Sequence, residues 1–229
     1  MSGTNQIALR NAFKNVKAIY AQAGRTPIVT PSDLRLENPI QQNVNFYQFY
    51  ALQSESNPLF ANGTSNTELR LNTNDSFWSV LGGLYLGDPS AAADAEYQLY
   101  SYPNTTAFAA AAPAYEMFFN NSTFDISINN VQYIQKFLTS RFRNVPQTQA
   151  GNGFGVNDGT TPLVTSTVQD QFDGNESGMT ALGSLVEISG QRKIDIKMNI
   201  PTGLSVAPNT ADRLVFIIRG FLALNAATR

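Results

Sequence analysis

Period-two alternation of apolar and polar side chains is the feature that most restricts how this chain can fold. Phe124, Ile126 and Ile128 alternate with Asp125 and Ser127, and Ile194, Ile196 and Met198 alternate with Asp195 and Lys197. Successive side chains on a strand point to opposite faces, so each run has one buried face and one wet or partner-covered face. Short aromatic or β-branched runs separated by Asn, Gly, Pro and Ser clusters recur from about residue 44 onward. The expected strands are 44–52, 67–71, 77–86, 97–102, 115–119, 124–128, 131–143, 182–189, 193–200 and 213–223. They predict an all-β, antiparallel sandwich. The last run, with Phe216-Ile217-Ile218 and Phe221-Leu222-Ala223-Leu224, is apolar almost throughout, which predicts a central strand.

The first 25 residues differ from this body. They hold Arg10, Lys14, Lys17 and Arg25 and no acid, so a basic arm precedes a body with more acids than bases. Over residues 7–20 the period is helical: Leu9, Phe13, Val16 and Tyr20 form one stripe, and Arg10, Lys14 and Lys17 fall on an adjacent face. Gly24 is a natural stop, and Pro27 and Pro31 favour an extended continuation. The expected organisation is a basic helical arm and extended linker over 1–42, then a β-sandwich body over 43–229. The weakly patterned 146–178, with at most a short strand at 163–168, is a long loop or a joint between sub-domains. Ala-rich connectors at 91–95 and 107–114 each fit a helical turn.

Composition removes much familiar chemistry. The chain has 229 residues, 42% of them hydrophobic, enough for a large core. It has no His and no Cys, which excludes imidazole and thiolate metal sites, a Cys nucleophile, disulfides and a Ser-His-Asp relay. Only 14% of residues are charged, against about 25% ordinarily, and Asn, Gln, Ser and Thr fill the deficit. Such a neutral hydrogen-bonding surface suits a protein surrounded by copies of itself. Neither a secretory h-region nor an 18-residue apolar run is present, so neither export nor membrane spanning is expected.

The remaining motifs favour structure over catalysis. Asp170, Asp173, Asn175 and Glu176 lack the spacing of a Ca²⁺ loop and read as a polar turn. Asp75, Asp125, Glu187 and Asp195 are the acids in or beside strands; Asp125 and Asp195 fall on outward positions, which argues against a glycosidase pair. Gly82-Gly83 and the Gly151, Gly153, Gly155 run have no following Lys and are not phosphate loops; the first suggests a bulge or bend. Six N-glycosylation sequons, Asn62, Asn74, Asn104, Asn120, Asn121 and Asn175, are the chance yield of an Asn- and Thr-rich chain. Phe46-Tyr47-Gln48-Phe49-Tyr50 puts aromatics on both faces of one strand. No catalytic, cofactor-binding or metal-ligating set is expected.

The helical arm 7–20, the paired runs 185–198 and the closing run 213–225 together resemble the jelly-roll major capsid proteins of tailless, membrane-containing bacterial viruses. The resemblance is to an architecture and rests on no diagnostic motif. It implies a jelly-roll sandwich with extra strands, a compact double jelly roll being the alternative. It further implies trimeric capsomers in an icosahedral shell, other capsid and vertex proteins as partners, and a virion location after synthesis in the host cytoplasm. Arg10, Lys14, Lys17 and Arg25, with Leu9, Phe13, Val16 and Tyr20, would then line the inner surface, against an internal membrane, packaged nucleic acid or a neighbouring subunit. The competing expectation is a receptor- or carbohydrate-binding sandwich, such as a phage spike or fibre head, using Trp78 or Tyr clusters as stacking platforms. A carboxylate hydrolase is the third.

Overall fold

The computed structural model describes residues 3–49, 74–88, 98–145, 178–190, 192, 194–208 and 212–226. They form nine strands in two antiparallel sheets: β1 (Ile28–Pro39), β2 (Phe46–Phe49), β3 (Ser76–Asp88), β4 (Gln98–Tyr100), β5 (Thr123–Ile128), β6 (Val131–Leu138), β7 (Thr180–Ser189), β8 (Ile194–Asn199) and β9 (Arg213–Leu224). The larger sheet has the order β1-β9-β3, with β7 and then β4 along the far edge of β3; the smaller has the order β2-β8-β5-β6. Four of the pairings are nested along the chain: β1 with β9, β2 with β8, β3 with β7, and β5 with β6.

The alternating runs bury one face each. β5 alternates half-buried and buried from Thr123 to Ile128, and β8 buries Ile194, Ile196 and Met198. These side chains meet Leu34, Leu36, Leu84, Val186 and Phe216 from the larger sheet in one core. Phe216 is its hub, with ring centroids 4.1 Å from Phe124, 6.0 Å from Phe49 and 5.8 Å from Phe142. On the outer face of the small sheet Asp125 accepts from Lys136 N (2.7 Å) and Asn199 Nδ2 (2.5 Å), and Gln48 donates to Asp195 (2.8 Å).

β9 does not alternate, because both of its faces are covered. Leu214, Phe216 and Ile218 enter the inter-sheet core, while Val215, Ile217, Phe221 and Ala223 enter a second core on the other side of the sheet. That second core is closed by α1 (Gly3–Gln22) through Ala12, Val16 and Tyr20. β3 is equally two-sided: Phe77, Leu84 and Leu86 face inward, and Trp78, Val80, Leu81 and Tyr85 face α1. A bulge at Val80 shifts the register between Ser79 and Leu81, so residues 80 and 81 both face the helix. Opposite it, Gly220 lies against the Trp78 carbonyl, where a Cβ would collide with the backbone.

Four details depart from the sequence pattern. The expected linker forms β1, paired with β9 from Ile28 to Pro39. Leu34, Leu36 and Asn38 are buried at every second position, and an edge strand tolerates Pro31 and Pro39 because its outer side needs no donor. Residues 115–119, expected as a strand, are helical: α2 (Thr105–Phe108), a 3₁₀ turn (Ala109–Ala111), α3 (Ala112–Tyr115) and α4 (Met117–Asn120) follow one another. Phe108, Ala111, Ala112, Tyr115, Phe118 and Phe119 are spaced at three and four and are all buried, and Pro113 suits the first turn of α3. The run 131–143 is strand only to Leu138 and then turns as 3₁₀ helix over Thr139–Phe142. The bulge expected at Gly82-Gly83 falls at Val80; Gly82 is packed so closely that a Cβ would lie 2.8 Å from Leu182 Cδ2. The expected strands at 67–71 and 163–168, the 91–95 connector, and 50–52 lie outside the described residues, as does nearly all of the 146–178 joint.

One end of the sandwich is closed by loops bonded to one another. Asn43 N donates to Leu204 O (3.0 Å), Ile40 N to Asp212 O (3.0 Å), and Asn144 N to Ser101 O (3.3 Å). Tyr115 donates its hydroxyl to the buried Asp212 carboxylate at 2.5 Å, tying the helical insert to the start of β9. Tyr47 Oη accepts from Gln41 N and donates to Gln41 O, and burial raises its phenol pKa above the usual value.

Phe216→Ala empties the hub of the inter-sheet core and is expected to cost about 3–5 kcal/mol in urea unfolding. Lys197→Ala, exposed on the small sheet, is expected to stay within about 0.5 kcal/mol of the parent.

Candidate functional site

α1 is where the sequence placed its candidate contact residues, and its geometry follows from its two stripes. Asn5, Leu9, Ala12, Phe13, Val16 and Tyr20 recur at three- and four-residue steps and face the sheet. Gly24 adopts φ +67° and ends the helix: its N–H reaches Ala21 O (3.1 Å) and Arg25 N reaches Tyr20 O (2.8 Å), the paired bonds of a Schellman cap. The chain then turns through Pro27 into β1, antiparallel to β9.

The helix is held on the sheet along its length. Phe13 packs on Phe221 with centroids 5.3 Å apart. Tyr20 meets Trp78 edge to face, and Trp78 Nε1 donates to Tyr20 Oη at 2.9 Å inside the buried layer. Near the start of the helix Asn5 Nδ2 donates to Met179 O (3.4 Å), and beyond its end Arg25 donates to Ala226 O (2.8 Å). Burial raises the Tyr20 phenol pKa, with the hydrogen bonds to Trp78 and Ser76 acting in the opposite direction.

The eight expected contact residues therefore separate into three sets. Val16 and Tyr20 are buried and Leu9 and Phe13 half-buried, so this stripe packs on the protein's own second core. Arg25 is half-buried on the Ala226 carbonyl. Arg10, Lys14 and Lys17 are exposed. None of the three makes an ion pair among the described residues, and Lys17 Nζ rests 4.5 Å over the Phe13 ring.

The strand acids do not gather at one place, although Asp125 and Asp195 share one face of adjacent strands. Asp75 Oδ1 accepts from Asn225 N (2.8 Å) at the end of β9, Glu187 lies 3.7 Å from Arg192, and Asp125 and Asp195 lie on the outer face of the other sheet. Among the described residues no group of three acids is placed to hold a metal ion. Trp78, expected as a stacking platform in the carbohydrate-binding alternative, is 8% exposed beneath α1. An open groove of about 490 Å³ is formed by residues 24–28 with Leu224 and Asn225, and carries no acid. Outside α1 the exposed large apolar side chains among the described residues are Ile28 at the start of β1, Val145 and Val206 outside the strands, and four on the two edges of the small sheet: Phe46 on β2, and Val131, Tyr133 and Leu138 on β6.

The sequence reading missed the Tyr20–Trp78 and Tyr115–Asp212 pairs. Trp78 stands beside Phe77 in an apolar run, a setting that suits burial, but no local pattern names a partner 58 residues away. In comparisons with known proteins, no protein-family model, no curated protein and no solved structure matches this chain.

Tyr20→Phe is expected to cost about 1–3 kcal/mol, because the Trp78 indole N–H loses its buried acceptor. The raised phenol pKa also fixes a pH dependence. Its contribution is fully present below the unfolded value near 10 and is lost as pH rises through the folded value. Urea midpoints between pH 8 and 11.5 should fall less steeply in Tyr20→Phe than in the parent.

Proposed function

We propose that this chain is a major capsid protein, a jelly-roll subunit that self-associates into trimeric capsomers of an icosahedral virion shell. The observation that carries the reading is the nested pairing of β1 with β9, β2 with β8, β3 with β7 and β5 with β6. With β4 set aside as an addition to the edge of β3, the eight remaining strands divide four and four between the orders β1-β9-β3-β7 and β2-β8-β5-β6. These orders support the reading of a double-sheet jelly roll, a form used by viral capsid, lectin and cupin domains. The chain has no His to offer an imidazole metal site, and its single Trp is covered. These features favour the capsid use over the other two.

Surface chemistry supports self-association. The small sheet carries exposed apolar side chains on both of its edges, Phe46 on one and Val131, Tyr133 and Leu138 on the other. A contact between unlike edges is head to tail, and such contacts close into rings when the rotation permits. β6 is irregular, with two register shifts against β5 and a positive φ at Lys136, so it is a poor template for strand addition. Its contacts run through side chains. Other copies of the chain are the first partners in this reading, and other capsid and vertex proteins the next.

Light scattering on the purified chain is expected to give a trimer mass, and electron microscopy to show capsomers or shells. Tyr133→Ser with Leu138→Ser is expected to shift the mass to monomer with an unchanged circular dichroism spectrum. A parent protein that stays monomeric at high concentration and never assembles would overturn the reading.

A further inference from the structure

We propose that the outward stripe of α1, made of Arg10, Lys14 and Lys17, is a docking rail for the phosphodiester backbone of a nucleic acid. Residues 1–32 contain no Asp or Glu, and these three bases are exposed and free of ion pairs among the described residues. At 100° per residue they lie within about 60° of one another and span about 10 Å along the axis. One strand of a duplex presents about three phosphates over that length. The rail is held in place because α1 is fixed to the sheet at Asn5, Phe13, Tyr20 and, just beyond its end, Arg25.

The choice of a nucleic acid over a lipid surface comes from what the other stripe does. A helix lying in a membrane interface needs its apolar face for the acyl boundary. In α1 that face is spent on Trp78 and Phe221, and the outward apolar residues Ile7 and Ile19 lie twelve positions apart. What remains is charge without an inserting surface, which suits a linear polyanion. Three charges bind weakly alone, and repetition of the rail across many subunits multiplies them. The inference rests on the shell reading for that repetition only.

The test is fluorescence anisotropy of the full-length protein with a labelled 20-nucleotide oligo-dT between 50 and 200 mM NaCl, beside sedimentation with phosphatidylglycerol vesicles. Three phosphate contacts predict a log–log salt slope of about −2 and an affinity loss of about twentyfold over that range. Arg10→Gln/Lys14→Gln/Lys17→Gln is expected to flatten the slope and lower affinity at 50 mM at least tenfold, while Lys14→Arg/Lys17→Arg retains both. Scattering mass should not move in either variant, and melting temperature should fall by no more than a few degrees in the triple Gln variant, which gives up only the Lys17 contact over the Phe13 ring. No binding by the parent at 50 mM, an unchanged slope in the triple Gln variant, or vesicle binding that persists under excess oligo-dT overturns the proposal. The scattering mass separately tests the shell reading.

Discussion

Everything in this structure depends on β9 being covered on all four sides. It pairs with β1 along one edge and β3 along the other, faces the second sheet with Leu214, Phe216 and Ile218, and faces α1 with Val215, Ile217 and Phe221. Fully burying one such side chain contributes about 1.5–3 kcal/mol, so the six named residues, with the equally two-sided β3 beside them, carry much of the apolar burial of both cores. The two cores meet at this strand. A packing fault there would loosen both layers, whereas a fault in β6 would reach one edge of one sheet.

The second core explains the division of labour within α1. Its apolar stripe and the Tyr20–Trp78 hydrogen bond hold the helix down, and that commitment makes the basic stripe the face turned to solvent. A free amphipathic arm would have two faces available to partners; the docked helix has one. The helix is therefore a third layer of the fold as well as a candidate contact surface.

Much of this was legible in the sequence where a pattern was local. Period two in 124–128 and 194–198 gives half-buried strands, and the two-sided apolar run in β9 gives its central position. Gly24 marked the end of the helix correctly because a left-handed cap is a local requirement. β1 escaped because its prolines carry the same local signal in an edge strand as in a linker, and only pairing with a strand 180 residues away distinguishes them. Residues 115–119 escaped because five apolar-rich positions fit either period; extending the window back to Phe108 reveals the three-and-four spacing. For the candidate site, the exposed bases were readable from charge alone. That Leu9, Phe13, Val16 and Tyr20 face inward depends on Trp78 and Phe221, which no window around the helix contains.

Nested pairing also sets an order of events during synthesis. β9 follows its partner β1 by 174 residues or more (Pro39↔Arg213), so the larger sheet cannot close until all the intervening strands have been made. α1, made before either, has no complete surface to settle on until β9 arrives between β1 and β3. Long-range closure of this kind is slow compared with local hairpins such as β5–β6, which turns through Asn129 and Asn130 at positive φ. The sandwich therefore stays open and unsealed until β9 is released, and the apolar faces that stabilise the finished fold are the same ones that need shielding while it waits.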